Sequence, residues 1–146
     1  MQIRVLTMDD YDAIYTLWQS VPGVGLNNID DSREGIERYL CRNPETCFLA
    51  EENGELAGCV MAGHDGRRGY IYHLTVSVDH QRKGIGRVLV DRALQALEAE
   101  GITKVALVVF ARNEMGNEFW EKIGFTTRPD IVYRNKTLVE MIRFDT

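Results

Sequence analysis

The sequence lacks the long apolar stretches that mark membrane proteins and secreted precursors. No stretch approaches the roughly 20 apolar residues that a transmembrane helix needs. The first residues, Met1-Gln2-Ile3-Arg4-Val5-Leu6, are followed by polar residues and lack the apolar segment of a signal peptide. These absences predict a protein that does not enter a membrane and that resides in the cytoplasm.

Cysteine is scarce as well. The chain has three cysteines, Cys41, Cys47 and Cys59. An odd number without C-x-x-C spacing argues against a disulfide framework and against a zinc site. We therefore expect free cysteines in a reducing compartment and no metal site.

Basic residues do not predominate. The chain carries 17 Lys and Arg against 22 Asp and Glu, a net charge of -5. A chain that mainly binds nucleic acid usually has a strong basic excess, so we expect no nucleic-acid partner. Mild acidity suits a positively charged partner such as an amine, although the same charge would also serve only to keep the protein soluble.

What the sequence does contain is the composition of an ordinary globular domain. Its 146 residues are 45% hydrophobic and 27% charged, and this length is close to the commonest size of one domain. Residues 1–146 are therefore assigned to a single mixed α/β domain. Hydrophobic periodicity and turn residues predict helices near 8–20, 32–43, 85–100 and 114–123. They predict strands near 2–6, 46–51, 56–64, 70–78, 105–110, 125–133 and 137–144.

The segment that carries chemistry runs from the predicted strand 70–78 into the loop before the third helix. Gly84 and Gly86 allow the main chain to turn tightly and to approach a ligand closely. The helix that follows points unpaired N–H groups back at this loop, and these favour an anion. Further positive charge comes from Arg82, Lys83 and Arg87. The loop therefore predicts a phosphate or pyrophosphate site, although a solvated basic turn that opens an ordinary helix has the same pattern.

Two common phosphate loops do not match. The P-loop pattern G-x-x-x-x-G-K-[ST] is absent, and the dinucleotide pattern G-x-G-x-x-G lacks its third glycine, because Val88 and Leu89 follow Gly86. Instead, the segment 81–86, Gln-Arg-Lys-Gly-Ile-Gly, resembles the acetyl-CoA signature of the GNAT superfamily of N-acetyltransferases. That signature is Gln or Arg, two residues, Gly, one residue, then Gly or Ala.

A second stretch strengthens this resemblance. Asn113 and Gly116 lead into a predicted helix that closes on Gly124-Phe125, as in the family's second conserved stretch. Both stretches occur in the family's order, so the resemblance covers essentially the whole chain. It implies a central, mixed, mostly antiparallel sheet of about seven strands flanked by about four helices. The sheet is expected to splay between its fourth and fifth strands, residues 70–78 and 105–110.

The resemblance also implies an activity and a set of binding residues. The activity is transfer of an acetyl group from acetyl-CoA to an amine. Main-chain N–H groups of residues 82–87 would hold the pyrophosphate, and the strand around Thr75 would pair with the pantetheine arm. Asn113 would bind the arm from the far side, or act only as a helix N-cap. The implied cofactor-binding residues are Leu74, Thr75, Val76, Gln81, Arg82, Lys83, Gly84, Ile85, Gly86, Arg87, Asn113, Gly116 and Trp120.

The reaction requires that an alkylammonium, with a reference pKa of about 10.4, first lose a proton. His73 on the fourth strand is the candidate base, since histidine titrates near neutral pH; packing and surface roles are its alternatives. Strict strand alternation places His73 with Ile71 on one face and Tyr72 with Leu74 on the other, unless a β-bulge, which the family shows, changes that parity. Tyr72 and Tyr70 are candidates for the wall of the acceptor site.

The general acid is less defined. Many family members carry a tyrosine four residues before the glycine of Gly-Phe, and here that position is Trp120. An indole N–H donates a hydrogen bond but is no useful acid. Tyr133 or water would then protonate the leaving sulfur, or the thiolate would leave unprotonated. Packing is the alternative role of Trp120.

The acceptor is expected between the first helices and the final hairpin, with residues 21–31 as one wall. Asp30 and Asp31 would attract a cationic amine, or would belong to a solvated face. Three hypotheses remain open: an active N-acetyltransferase, a CoA-binding sensor or partner module with weak or no catalysis, and an unrelated phosphate-binding protein. A monomer and a homodimer are both compatible with the sequence.

Overall fold

The structure is a computed structural model that describes residues 1–144; residues 145 and 146 of the predicted domain lie outside the described part. Its helices are α1 (Tyr11–Ser20), α2 (Arg33–Arg42), α3 (Ile85–Ala99) and α4 (Glu114–Lys122). Its strands are β1 (Gln2–Val5), β2 (Leu26–Asn27), β3 (Phe48–Glu52), β4 (Glu55–His64), β5 (Gly69–Val76), β6 (Val105–Ala106) and β7 (Arg143–Phe144).

Five strands form the central sheet in the order β1-β3-β4-β5-β6. Each neighbouring pair is antiparallel except β5 and β6, which run parallel. The short turn at Asn53-Gly54 joins β3 to β4, and both of its residues have positive φ, at 53° and 78°, as a tight hairpin turn requires. The prediction of a mixed, mostly antiparallel sheet flanked by four helices is confirmed.

The sheet separates two apolar layers. On one face, α1 and α2 cover Leu49, Cys59 and Met61. On the other, α3 covers Phe48, Val60 and Ala62 of the same two strands. Neighbouring positions along β3 and β4 thus supply opposite layers, as the pleat requires. The central strands are therefore buried on both faces, which fixes their register.

The parallel pair β5 and β6 separates soon after it forms. The register contains Gly69 opposite Val105 and Tyr70 opposite Ala106, and β6 ends there, whereas β5 continues to Val76. The predicted opening between residues 70–78 and 105–110 is therefore present. It leaves the β6-side edge of β5 without a strand partner from Ile71 onward within the described residues.

The strand predictions for the C-terminal region are mostly wrong. In the described part of the chain, residues 125–133 form no strand, and of 137–144 only β7 does. β7 pairs with β2 in a separate two-stranded sheet. β2 lies within residues 21–31, which are predicted to form a loop. Residues 105–110 are predicted to form a strand buried on both faces, but only Val105–Ala106 form one, and in the described part of the chain no further strand pairs with its outer edge. They lie at an edge, and the side chain of Val108 is 59% exposed.

Among residues 1–144, no helix has the length and apolar character that crossing a membrane would take.

Candidate active site

A β-bulge shapes the middle of β5. Cys59 of β4 pairs with Thr75, and Met61 pairs with Tyr72, so Val60 faces both His73 and Leu74. His73 adopts a left-handed conformation with φ of 51°, which residues other than glycine rarely adopt. The hydroxyl of Thr75 donates to the carbonyl of His73 across 3.1 Å and so holds the bulge in place.

The bulge overturns the faces expected from strict alternation. Ile71, Leu74 and Val76 all pack into the α3-side layer, whereas His73 contacts Trp18 of α1 on the opposite face. Two residues of β5 oppose one of β4, and this extra residue reverses the parity of the strand from that point on. The prediction that Leu74 and Val76 share a face with Tyr72 is therefore wrong, and the exception noted for a bulge holds.

His73 is hydrogen-bonded to a carboxylate, a contact that the sequence did not reveal. Its Nε2 lies 2.7 Å from Oδ1 of Asp31, whose side chain is 5% exposed. The other carboxylate oxygen accepts from the main-chain N–H of Asn27 at 2.8 Å. Trp18 lies edge-on to the imidazole, with 4.9 Å between ring centroids. Asp31 is thus a buried partner of His73 and not part of a solvated acidic face.

The loop before α3 has the geometry of an anion site. Arg82 and Gly84 both have positive φ, at 66° and 81°, which turns the main chain sharply ahead of Ile85. Gly84 is the N-cap residue, and no side chain caps the helix, so its first N–H groups have no intrahelical acceptor. A Cβ built on Gly84 meets nothing within 4 Å, so the space in front of these groups is open.

The remaining residues of this loop have distinct local roles. Gln81 donates from Nε2 to the carbonyl of Val76 at 3.1 Å and ties the loop to the end of β5. Lys83 lies 3.6 Å from Glu52, and Arg87 lies 3.4 Å from Asp91 on the exposed face of α3. Ile85 is buried in the α3-side layer. The positive charges flank the loop, and their acidic neighbours only partly compensate them.

Helix α4 forms the far side of the opening. Asn113 caps it, because its Oδ1 accepts from the N–H of Gly116 at 2.9 Å. A side chain on Gly116 would collide with that cap, since its Cβ would lie 2.5 Å from Nδ2 of Asn113. Nδ2 of Asn113 also lies 3.5 Å from the Cβ position of Gly23. The N-cap role of Asn113 is therefore observed, and the closeness of Gly23 to Asn113 places the loop 21–31 beside the start of α4.

Trp120 packs where α4 ends. Gly124 has φ of 100°, its N–H donates to Glu121, and the N–H of Phe125 donates to the carbonyl of Trp120. This is a Schellman motif, which is usually accompanied by an apolar contact between the two residues that the longer bond joins. Here the rings of Trp120 and Phe125 provide it, with centroids 5.1 Å apart. The packing role expected as an alternative for Trp120 is observed.

Tyrosines gather next to the bulge, on the side away from the loop 81–87. Tyr70 and Tyr72 lie with ring centroids 4.6 Å apart, and Tyr39 of α2 meets Tyr72 edge-on at 5.9 Å. Burial raises the pKa of Tyr70 to about 12, and the neighbouring Tyr72 and Tyr133 add to this. Tyr133 itself is 66% exposed. Because Tyr133 raises the pKa of both Tyr70 and Tyr72, it lies near these two tyrosines of β5.

Sequence reasoning named candidate cofactor-binding residues and His73 as a candidate base, but it missed Asp31 as the partner of His73 and Tyr39 as a neighbour of Tyr72. Asp31 stands among similar acids in the sequence, and nothing in the pattern marks it as the buried one. Tyr39 has the spacing of an ordinary core residue of α2. Only the fold brings them to β5.

Comparisons with known proteins agree on one family. The acetyltransferase (GNAT) family profile matches residues 11–125. An acetyltransferase of Pectobacterium atrosepticum is 36% identical over 96% of this chain and 97% of its own length. One of Sodalis glossinidius is 34% identical with the same coverage. A predicted acetyltransferase of Clostridium acetobutylicum, whose crystal structure contains acetyl-CoA, has the same fold: its TM-score is 0.70 at 18% identity, over 92% of this chain and 95% of that one.

Three independent features thus coincide: an uncapped glycine loop before α3, an opening between β5 and β6, and whole-length similarity to acetyltransferases. The acyltransferase class and the family predicted from the residues are confirmed, and the acetyl-CoA in the Clostridium structure agrees with the predicted donor. The chain belongs to the GNAT family of acetyltransferases.

Proposed function

We propose that this acetyltransferase transfers the acetyl group of acetyl-CoA to a primary amine of a small molecule or protein by direct attack of the amine. The observation that carries the proposal is the bulge at His73, because it joins two half-sites. On one side lie the free edge of β5 and the loop 81–87. On the other lies the imidazole, held by a buried carboxylate at 2.7 Å.

The donor half-site suits a coenzyme A thioester. Its diphosphate matches the N–H groups at the start of α3, which lie between flanking positive side chains. Leu74, Thr75 and Val76 present the main-chain edge that β6 leaves open, and an amide-containing arm can add to such an edge like a strand. A Cβ built on Gly86 would lie 3.5 Å from Phe119 and 3.6 Å from Val76, so this half-site continues from the loop to β5.

The acetyl donor supplies the thioester carbonyl that the amine attacks, and residues of the chain accept the proton that the amine loses. An ionised carboxylate only accepts hydrogen bonds, so Asp31 assigns the imidazole proton to Nε2 and leaves Nδ1 as the basic nitrogen. The amine nitrogen loses one proton to Nδ1, directly or through water, and forms the new N–C bond. The C–S bond breaks and sulfur leaves as a thiolate, whose proton comes from water or Tyr133.

The test combines donor binding with product formation. Titration with acetyl-CoA should saturate, and an amine panel should release free thiol in proportion to acetylated product. His73→Asn should lower kcat by roughly 10²- to 10⁴-fold, the usual contribution of a general base, while acetyl-CoA binding stays unchanged. A His73→Asn enzyme with full kcat would reject His73 as the base. Absence of saturable acetyl-CoA binding would reject the function.

One observation favours a second candidate, a CoA-binding sensor or partner module with weak catalysis. Trp120 is engaged in the Schellman contact with Phe125 and offers no acid to the leaving sulfur. Tight acetyl-CoA binding together with no thiol release across the amine panel would select this alternative over the enzyme.

A further inference from the structure

An aromatic pocket adjoins His73 on the side away from the coenzyme half-site. It is a cleft of about 280 Å³ lined by Tyr39, Tyr70 and Tyr72 together with Gly63, Asp65 and Arg68. The rings of Tyr72 and His73 are 6.3 Å apart between centroids. Tyr72 therefore links the pocket, which it lines, to the imidazole, and the pocket extends from Tyr72 along β5 toward α2.

The three rings meet at different angles. Tyr70 and Tyr72 are tilted by 39°, and Tyr39 stands at 86° to Tyr72. Such an arrangement presents ring faces to one space. The hydroxyl oxygen of Tyr39 is buried and has no hydrogen-bond partner among the described residues. Tyr39 therefore contributes its ring, and not its hydroxyl, to the lining.

The charges around the pocket are arranged asymmetrically. At the end near His73, Asp30 directly precedes Asp31, whose carboxylate lies 2.7 Å from the imidazole. Burial raises the pKa of Tyr72, and Tyr133 and Asp30 raise it further. At the outer end, the carboxylate of Asp65 accepts from the main-chain N–H groups of Arg67 and Arg68. His64 at that end lies 2.9 Å from Glu100. Arg68 also lines the pocket, and its guanidinium donates to the main-chain carbonyl of Arg67, so the end that suits a cation is the one nearer His73.

Electron-rich ring faces with a carboxylate at the rim are the chemistry that recognises an organic cation. Resting on the proposed function, we infer that this tyrosine pocket binds a second cationic group of the acceptor, so that the preferred substrates are diamines or other amines with an additional positive charge. The reacting nitrogen lies at His73 and must be uncharged, so the charge that the tyrosines hold is a different one. A short aliphatic spacer connects the two, since Tyr72 lines the pocket and also lies edge-on to the imidazole.

The test compares acceptors that differ by one ammonium group. Putrescine and n-butylamine have the same carbon chain, and phenethylamine replaces the second charge by a neutral ring. After correction for the two equivalent ends of putrescine, its kcat/KM should exceed that of n-butylamine roughly 3- to 30-fold, the range of a cation–π contact. Tyr72→Leu should remove this preference, and Asp30→Asn should weaken it. Tyr72→Phe, which keeps the ring, should retain most of it.

Each result decides the question. An n-butylamine rate equal to that of putrescine, or a preference for phenethylamine over both, overturns the inference while leaving the acetyltransferase intact. Equal loss of the preference in Tyr72→Phe and Tyr72→Leu would likewise overturn it, because the ring face would not be the recognition element. If no amine is acetylated, the same amines are titrated calorimetrically into CoA-saturated protein. Tighter putrescine binding that Tyr72→Leu abolishes then supports the pocket and rejects the transfer reaction, and equal binding overturns the pocket.

Discussion

Gly86→Ala should separate coenzyme binding from folding. A Cβ at this position would lie 3.5 Å from ring atoms of Phe119 and 3.6 Å from Cγ2 of Val76, which are ordinary contact distances. Alanine is also favoured over glycine inside a helix by about 0.5–1 kcal/mol. The free energy of unfolding should therefore stay constant or rise by up to ~1 kcal/mol. Nothing in the protein itself forbids this methyl group.

The coenzyme should respond differently. A hydrogen bond to a charged group contributes about 1.5–3 kcal/mol. If the added methyl keeps the diphosphate from one N–H group at the start of α3, the KM for acetyl-CoA rises roughly 10- to 100-fold. Denaturant unfolding measures the first quantity, and thiol release at varied acetyl-CoA concentration measures the second. An unchanged KM at unchanged stability would refute the proposed diphosphate site.

The same helix offers a matched control at its other end. Gly101 has φ of 87° and open space around a Cβ, like Gly84 with 81°. Alanine in this conformation costs about 1–2 kcal/mol at either site. Gly101→Ala should therefore lose stability and keep its KM, whereas Gly84→Ala should lose stability and raise its KM. Identical KM values in the two variants would show that the loop conformation is irrelevant to the donor.

Three further expectations concern other parts of the molecule. Asp31→Asn should lower kcat about 10²-fold or more without changing the KM for acetyl-CoA. The control Glu100→Gln, which alters the histidine–carboxylate pair with His64, should leave both kcat and KM unchanged. Equal losses of kcat in the two variants would make Asp31 merely structural. Burial raises the pKa of Asp10, but its hydrogen bonds with Arg4 prevail and lower this pKa below 3.8. The stabilisation by Asp10 is therefore present above pH 3.8 and is lost as the pH falls through the lower pKa of the folded state. In denaturant unfolding, Asp10→Asn should lose less stability than the wild type over that acid range. Trp120→Tyr should cost about 1 kcal/mol of stability by weakening the contact at the end of α4 and leave kcat nearly unchanged, whereas a tenfold rise in kcat would show that protonation of sulfur limits turnover.

The parts of the fold that the sequence predicted are those set by local chemistry. The glycines at 84, 101 and 124 mark helix ends because their positive φ is unfavourable for other residues. The hairpin at Asn53-Gly54 and the strand 56–64 follow from turn preference and β-propensity in the same way. Residues 81–87, which the resemblance assigns to the coenzyme pyrophosphate, occur in one continuous loop, so their spacing was visible without the fold.

The parts that escaped prediction depend on neighbours distant in the chain. The apolar run 105–110 has strand character, but whether it is buried depends on strands beyond it, and in the described residues only β5 pairs with it. Asp31 and His73 are 42 positions apart, and no local signal links them. Residues 26–27 pair with 143–144, which a prediction from short windows cannot detect. Long-range pairing, and not propensity, decided these elements.

The bulge at His73 explains why both half-sites can share one strand. With strict alternation, His73 would face α3 together with Ile71 and would lie in an apolar layer without Asp31. The extra residue rotates His73 to the side of Tyr72 while it returns Leu74 and Val76 to the α3 layer. The strand thereby keeps its core packing on both sides of the bulge and places His73, the proposed base, on the stretch of β5 whose edge β6 leaves open. If the proposed function holds, this single inserted residue couples the coenzyme edge to the acceptor pocket. A one-residue deletion next to His73 would then restore strict alternation, turn His73 into the α3-side layer, and disrupt the proposed site and the folded core together.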